Sequence, residues 1–189
     1  MQHPSGSAAE PSWVSEILHF WFDELGAAHW FVRSDTTDAL IRKRFLWLHE
    51  QLIADDGIDC AARRASLGAV IVLDQFSRNL FRDTSRAYAS DPIARRLARS
   101  AIARGFDDGM TAQQRLFLYL PFEHSEDRKD QALAVELIVR LGNAAWTRDA
   151  LDHKAIIDRF GRFPHRNAIL DRHSSADEIE CLQQRETWF

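Results

Sequence analysis

The chain has 189 residues, a formal charge of −4 and a pI of about 6.1, so it has no long-range field to draw it onto nucleic acid or an acidic membrane, and neither is expected as a partner. Apolar residues make up 46% and aromatics 11%, with Trp13, Trp21, Trp30, Trp47, Trp146 and Trp188 spread along the length, which excludes a disordered chain and predicts a substantial core. Cys60 and Cys181 are too few for a disulfide framework and form no CxxC pair, so a reducing compartment, the cytoplasm, is expected.

Residues 1–12 are rich in Pro, Ser, Ala and Gly and lack the basic and apolar regions of a signal peptide. They are expected to form a disordered tail, with residues 13–189 as one helical domain. Val14, Ile17, Leu18, Trp21 and Phe22 then recur at the spacing of one helical face, with Ser12 as N-cap and Gly26 near the end. Residues 35–54 repeat the pattern through Ile41, Phe45, Leu48 and Leu52, with Gly57 just beyond. Residues 66–79 open with Leu67, Val70, Ile71, Val72 and Leu73, apolar nearly all round. A buried strand is the rival there, but the pattern continues through Phe76 and Leu80 and favours a central helix.

Asp91 followed by Pro92 reads as a cap and first residue of a helix through Ile93, Leu97 and Ile102 that Gly105 ends. Thr111 and Gln114 form a capping box before Leu116, Phe117 and Leu120, and Pro121 is expected to stop that segment. Ser125 is the next cap candidate, ahead of a helix carrying Leu133, Leu137 and Leu141 to Gly142. A further helix carries Leu151, Ile156, Ile157 and Phe160 to Gly161, and Ser175 with Glu178 makes a last capping box. No alternating run bounded by turns suggests a sheet, so the expected fold is all-α, built of antiparallel helix pairs.

Three polar blocks interrupt this ordinary pattern. The first runs from Asp74 through Gln75, Arg78 and Asn79 to Arg82, directly out of the most apolar helix. Asp74 and Arg78 lie at i, i+4 and can simply pair, or Arg78 and Arg82 can line a pocket that grips a carboxylate or phosphate. The second places Glu123, Glu126 and Asp127 around His124 in a turn. Glu126 and Asp127 suit the first turn of a helix, whereas Glu123 and His124 could act as an acid/base or metal pair, although no HExxH spacing is present. The third begins with His153 on an apolar stripe and continues through Arg159, Arg162, His165, Arg166 and Asn167 around Gly161 and Pro164. Such a basic turn can clamp an anion or hold a loop against acidic neighbours. Arg is also far commoner than Lys, present only as Lys43, Lys129 and Lys154, which fits genomic base composition and also the use of bidentate donors. No Gly-rich phosphate loop, dinucleotide fingerprint or nucleophile elbow appears.

Taken together, LDQFSRNLFRDTSRAYASD, LPFEHSED followed by Gln131, HKAIIDRFGRFPHRNAIL and the opening ILHFWF with Trp30 and Phe31 resemble the family known as domain of unknown function 924. The resemblance covers nearly the whole chain from Trp13 onward. It implies a tetratricopeptide-like right-handed helical stack and brings no established reaction or cofactor. Ser77 stands where proline is usual and Asp171 where glycine is, which bears on local turn geometry.

The residues thus predict one pocket for a small anionic ligand, with Asp74, Gln75, Arg78, Asn79, Arg82, Glu123, Arg159, Arg162, His165, Arg166 and Asn167 as its lining. His124 and His153 are the acid/base candidates. Two rivals stand beside this reading: a non-enzymatic interaction module in which a concave helical surface receives a peptide and the polar blocks lock helices together, and a metal-dependent hydrolase using the histidines. The cofactor, if any, and the oligomeric state are not encoded in any recognisable motif.

Overall fold

The computed structural model describes residues 10–56 and 62–184, and every regular element among them is helical. Gly57, Cys60, Trp188 and most of the expected tail lie outside these ranges. The helices are α1 (Ser12–His19), α2 (Asp35–Ala54), α3 (Arg63–Val70), α4 (Ser77–Leu80), α5 (Arg86–Ala89), α6 (Asp91–Ala103), α7 (Ala112–Glu123), α8 (Arg128–Val139), α9 (Ala144–Phe160) and α10 (Ala176–Gln184). Two π-helical stretches, Phe20–Leu25 and Ile71–Phe76, extend α1 and join α3 to α4.

Helix starts follow side-chain chemistry. Ser34 caps α2 by accepting from Thr37 N, and the Thr111–Gln114 box opens α7 with both reciprocal bonds formed. Ser175 and Glu178 exchange the same pair of bonds before α10. Asn143 accepts from Ala145 N and Trp146 N ahead of α9, which ends at Gly161 in the left-handed region.

Four sequence-based boundaries are corrected. Ser12 is inside α1, whose N-cap position is Pro11 with no side-chain cap bond. Asp91 is likewise the first residue of α6 rather than its cap, because its carboxylate is turned to Arg78. Pro121 does not stop α7, which runs on to Glu123. Proline costs one backbone donor, and so near the C-terminus little helix remains to be disrupted. Ser125 does not cap α8: Asp127 does, accepting from Lys129 N and Asp130 N, while the Ser125 hydroxyl donates to Asp130.

The interior is aromatic where the π-helical stretches meet. Phe76 packs against Phe20, Trp21 and Phe45 at ring separations of 5.8, 5.4 and 5.2 Å, and Phe117 against Trp21 and Trp30 at 5.3 and 4.7 Å. Side chains add donors to carbonyls of these wide turns. Trp30 Nε1 donates to Trp21 O at 2.8 Å, and the hydroxyls of Ser77 and Ser90 both donate to Leu73 O. A smaller core of Ile156, Ile157, Phe163 and Cys181 seats α10 against α9. Asp171, where the family pattern suggested glycine, has φ of 54°, a conformation that glycine adopts without steric cost.

Candidate functional site

The wide turn Ile71–Phe76 carries Asp74 and Gln75 into the interior, where Asp74 is fully buried. A carboxylate there must be matched by donors. The Gln75 side chain donates to one oxygen of Asp74, and His124 Nδ1 lies 2.8 Å from the other. His124 follows the last residue of α7, in a turn held by Gln131 from α8: its side-chain amide donates to the carbonyls of Glu123 (2.5 Å) and Ser125 (2.7 Å). Burial alone would raise the Asp74 carboxyl, but the His124 ring and the Arg78 guanidinium hold it below the ordinary carboxylate range.

Glu123 and His153 form a second pair beside the first, Oε1 to Nδ1 at 3.2 Å, with Nδ1 also 2.8 Å from Asp149 O. The His124 and His153 rings are 6.2 Å apart. Burial pushes Glu123 up to about 8, with Asp149 and Asp74 adding to it, so it is largely protonated at neutral pH. Burial pushes His153 down to about 2, with His124 adding to it, so its ring is neutral. Two adjacent carboxyl groups are thereby driven in opposite directions, an arrangement that separates proton donor from acceptor.

Two guanidinium groups complete the cluster. Arg78 donates to both oxygens of Asp91 (2.8 and 3.0 Å) and lies 4.6 Å from the centre of the Tyr88 ring; Asp74 is 4.0 Å away. Arg166 comes from the short 3₁₀ turn Pro164–Arg166 and lies over Tyr88 at 4.7 Å and Phe163 at 4.4 Å. Its Nη1 donates to the His124 carbonyl at 2.9 Å. Burial, then the charge of Arg78, lowers Arg166 to about 10. His165 stands next to it, pushed down to about 3 by burial and then by Arg166, Arg78 and His124.

The expected single pocket is therefore only partly assembled. Asp74, Gln75, Arg78, Glu123, His124, His153, His165 and Arg166 come together, whereas five other candidates do not join them. Asn79 and Arg82 both turn to Asp38 on α2, with Asn79 Nδ2 at 2.7 Å and Arg82 Nε and Nη2 at 2.6 and 2.8 Å. They line an open groove of about 590 Å³ with Arg33, Arg42 and Arg86. Arg162 grips Glu178 through Nε and Nη2 (2.7 and 2.8 Å), and Arg159 lies exposed over Phe160. Asn167 Nδ2 donates to Ser174 at 3.0 Å. Glu126 precedes the cap of α8 instead of entering its first turn and accepts from Arg172 and from Phe163 N. The reading by blocks missed Tyr88 and Asp91. Both sit inside the LDQFSRNLFRDTSRAYASD stretch, but Asp91 before Pro92 looks like an ordinary helix start.

Among the described residues no group of three or more His, Cys, Asp or Glu side chains is placed to hold a metal ion. No helix among them is long and apolar enough to cross a membrane.

The class defined by these features is an all-helical protein with a buried carboxylate–histidine–arginine cluster. The chain belongs to the family described as bacterial protein of unknown function, DUF924, whose model matches residues 17–186. A solved structure of a protein of unknown function from Agrobacterium tumefaciens is similar, with 37% identity over 91% of this chain and 97% of that one and a TM-score of 0.86. A comparison with curated proteins gives no match.

Proposed function

We propose that the chain binds a small anionic molecule at Arg166 and performs acid/base chemistry on it with His124. One observation carries this reading: a buried guanidinium without a carboxylate partner adjoins a carboxylate-backed histidine. Arg166 is 6% exposed, and no carboxylate among the described residues lies within ion-pair distance of it. Leaving a charge in that state costs on the order of several kcal/mol, which an arriving anion would offset. With Nδ1–H directed at Asp74, the imidazole of His124 has Nε2 as its basic nitrogen, and Asp74 would stabilise the cation formed on proton uptake. Glu123 supplies a protonated carboxyl beside it. His153, neutral and buried, is a positioning residue rather than a proton carrier.

The test is an NMR titration of the histidine rings with inorganic phosphate and with acetate. A saturable shift of His124 is expected, and its loss in Arg166→Gln. If no small anion perturbs that ring in the folded wild type, the reading fails. Neither nucleic acid nor a membrane is a partner in it, and the cytoplasm is the compartment that the low cysteine content favours.

A second reading has its own support. The packing order has α1 on α3, α3 on α7 and α7 on α9, with α6 against α3 and α7, and α8 against α7 and α9. This order suits antiparallel pairs in a tetratricopeptide-like right-handed superhelical stack, a fold that often presents a surface to peptides. Under that reading Arg82–Asp38, Arg78–Asp91 and Arg162–Glu178 act as locks between elements. Retained peptide binding in Arg166→Gln, with no anion binding in wild type, would favour it.

A further inference from the structure

Two arginines of the chain hold a carboxylate with one edge of the side chain, Nε–H with Nη2–H. Arg82 presents that edge to Asp38 at 2.6 and 2.8 Å, and Arg162 presents it to Glu178 at 2.7 and 2.8 Å. Two parallel donors match the two coplanar oxygens of a carboxylate. On Arg166 the same edge has no partner among the described residues. Its hydrogen bond runs from Nη1, on the opposite side, to His124 O, and Nε is buried without an acceptor. Stacking on both Tyr88 and Phe163 prevents the guanidinium from swinging away to find one.

Charge matching in the cluster points the same way. Arg78 is neutralised by Asp91, and Asp74 is paired with His124. Glu123 faces His153, and its carboxyl is largely protonated near neutrality. Of the charged groups in this cluster, Arg166 alone has no ion-pair contact among the described residues, and an arriving carboxylate would supply one.

We propose that the ligand is a carboxylic acid whose carboxylate is held bidentately by the Nε–Nη2 edge of Arg166, next to the Asp74–His124 pair. This rests on the anion-site reading and narrows it to a ligand class. Arg78, Tyr88, His124 and His165, the neighbours of Arg166, are partly exposed.

Calorimetric titration of the full chain with acetate, benzoate and inorganic phosphate, in wild type and Arg166→Lys, tests the proposal. The carboxylates should bind wild type more tightly than phosphate does. Lysine keeps the charge but offers no fork, so carboxylate affinity should fall at least about tenfold in Arg166→Lys. If phosphate saturates the protein and neither carboxylate does, or if Arg166→Lys binds acetate as well as wild type, the carboxylate assignment is overturned while the anion site stands. If none of the three probes binds, both fall. Should the variant not fold, wild type supplies a second readout: the Arg166 Nε–H resonance should move downfield with acetate, and an unmoved resonance at saturating acetate counts against the proposal.

Discussion

Glu123 shows how strongly this site depends on where a single proton resides. Its carboxyl is raised from 4.5 to about 8, so it favours the folded state fully below pH 4.5, and the contribution is lost as pH rises towards 8. His49, His153 and His165 are lowered from 6.5 to about 4, 2 and 3, and their contributions are present above pH 6.5 and lost on acidification. The two trends overlap below pH 6.5. Between 6.5 and 8 Glu123 is the strongly shifted group still titrating, and wild-type stability should fall by about 2 kcal/mol across that window. Glu123→Gln should flatten this slope, which urea denaturation at pH 6.5, 7.2 and 8 would measure. An equal slope in both proteins would show that Glu123 is ionised in the fold. The sequence marked Glu123 and His124 as neighbours of interest but could not show that they face different partners. Adjacent residues diverge, and their partners Asp74 and His153 arrive from distant helices.

At the scale of the element, local chemistry was readable and long-range pairing was not. The capping boxes at Thr111 and Ser175 need only residues three apart, and both form. Asp91, in contrast, carries a local signal for a helix cap and is taken instead by Arg78, 13 residues earlier. Arg162 likewise looked like part of an anion clamp until α10 brought Glu178 to it. The Arg162 guanidinium holds the Glu178 carboxyl down to about 2, so that pair remains ionised well into the acid range. It ties the last helix to the turn after α9, with a further bond from Arg162 to His173 O at 2.7 Å. Arg162→Ala should therefore speed amide exchange across α10 selectively, leaving α2 and α3 protected. Unchanged exchange in α10 would mean that the small core around Phe163 and Cys181 suffices to dock it.

The whole molecule is organised around the meeting of its two π-helical stretches, where Phe76 is fully buried among Phe20, Trp21 and Phe45. Phe76→Ala should cost roughly 3–5 kcal/mol, read from the urea midpoint, because so many rigid rings surround the cavity that it cannot collapse. A loss below about 1 kcal/mol would argue against that rigidity. Helix content and the apolar pattern were legible because each depends on neighbours three or four residues away. The wide turns were not, since nothing in the spacing of Ile71 to Phe76 separates them from an ordinary α-helix. They bear on what a one-residue deletion would do. A wide turn holds one residue more than an α-turn over nearly the same rotation, so removing one residue between Ile71 and Phe76 would restore an uninterrupted α-helix with the residues after it nearly in phase. The helix would survive with Arg78 still on the side of Asp91, and the bulge that carries Asp74 and Gln75 into the interior would be lost. The number of residues between Leu67 and Arg78 is therefore part of the site, as much as the side chains themselves.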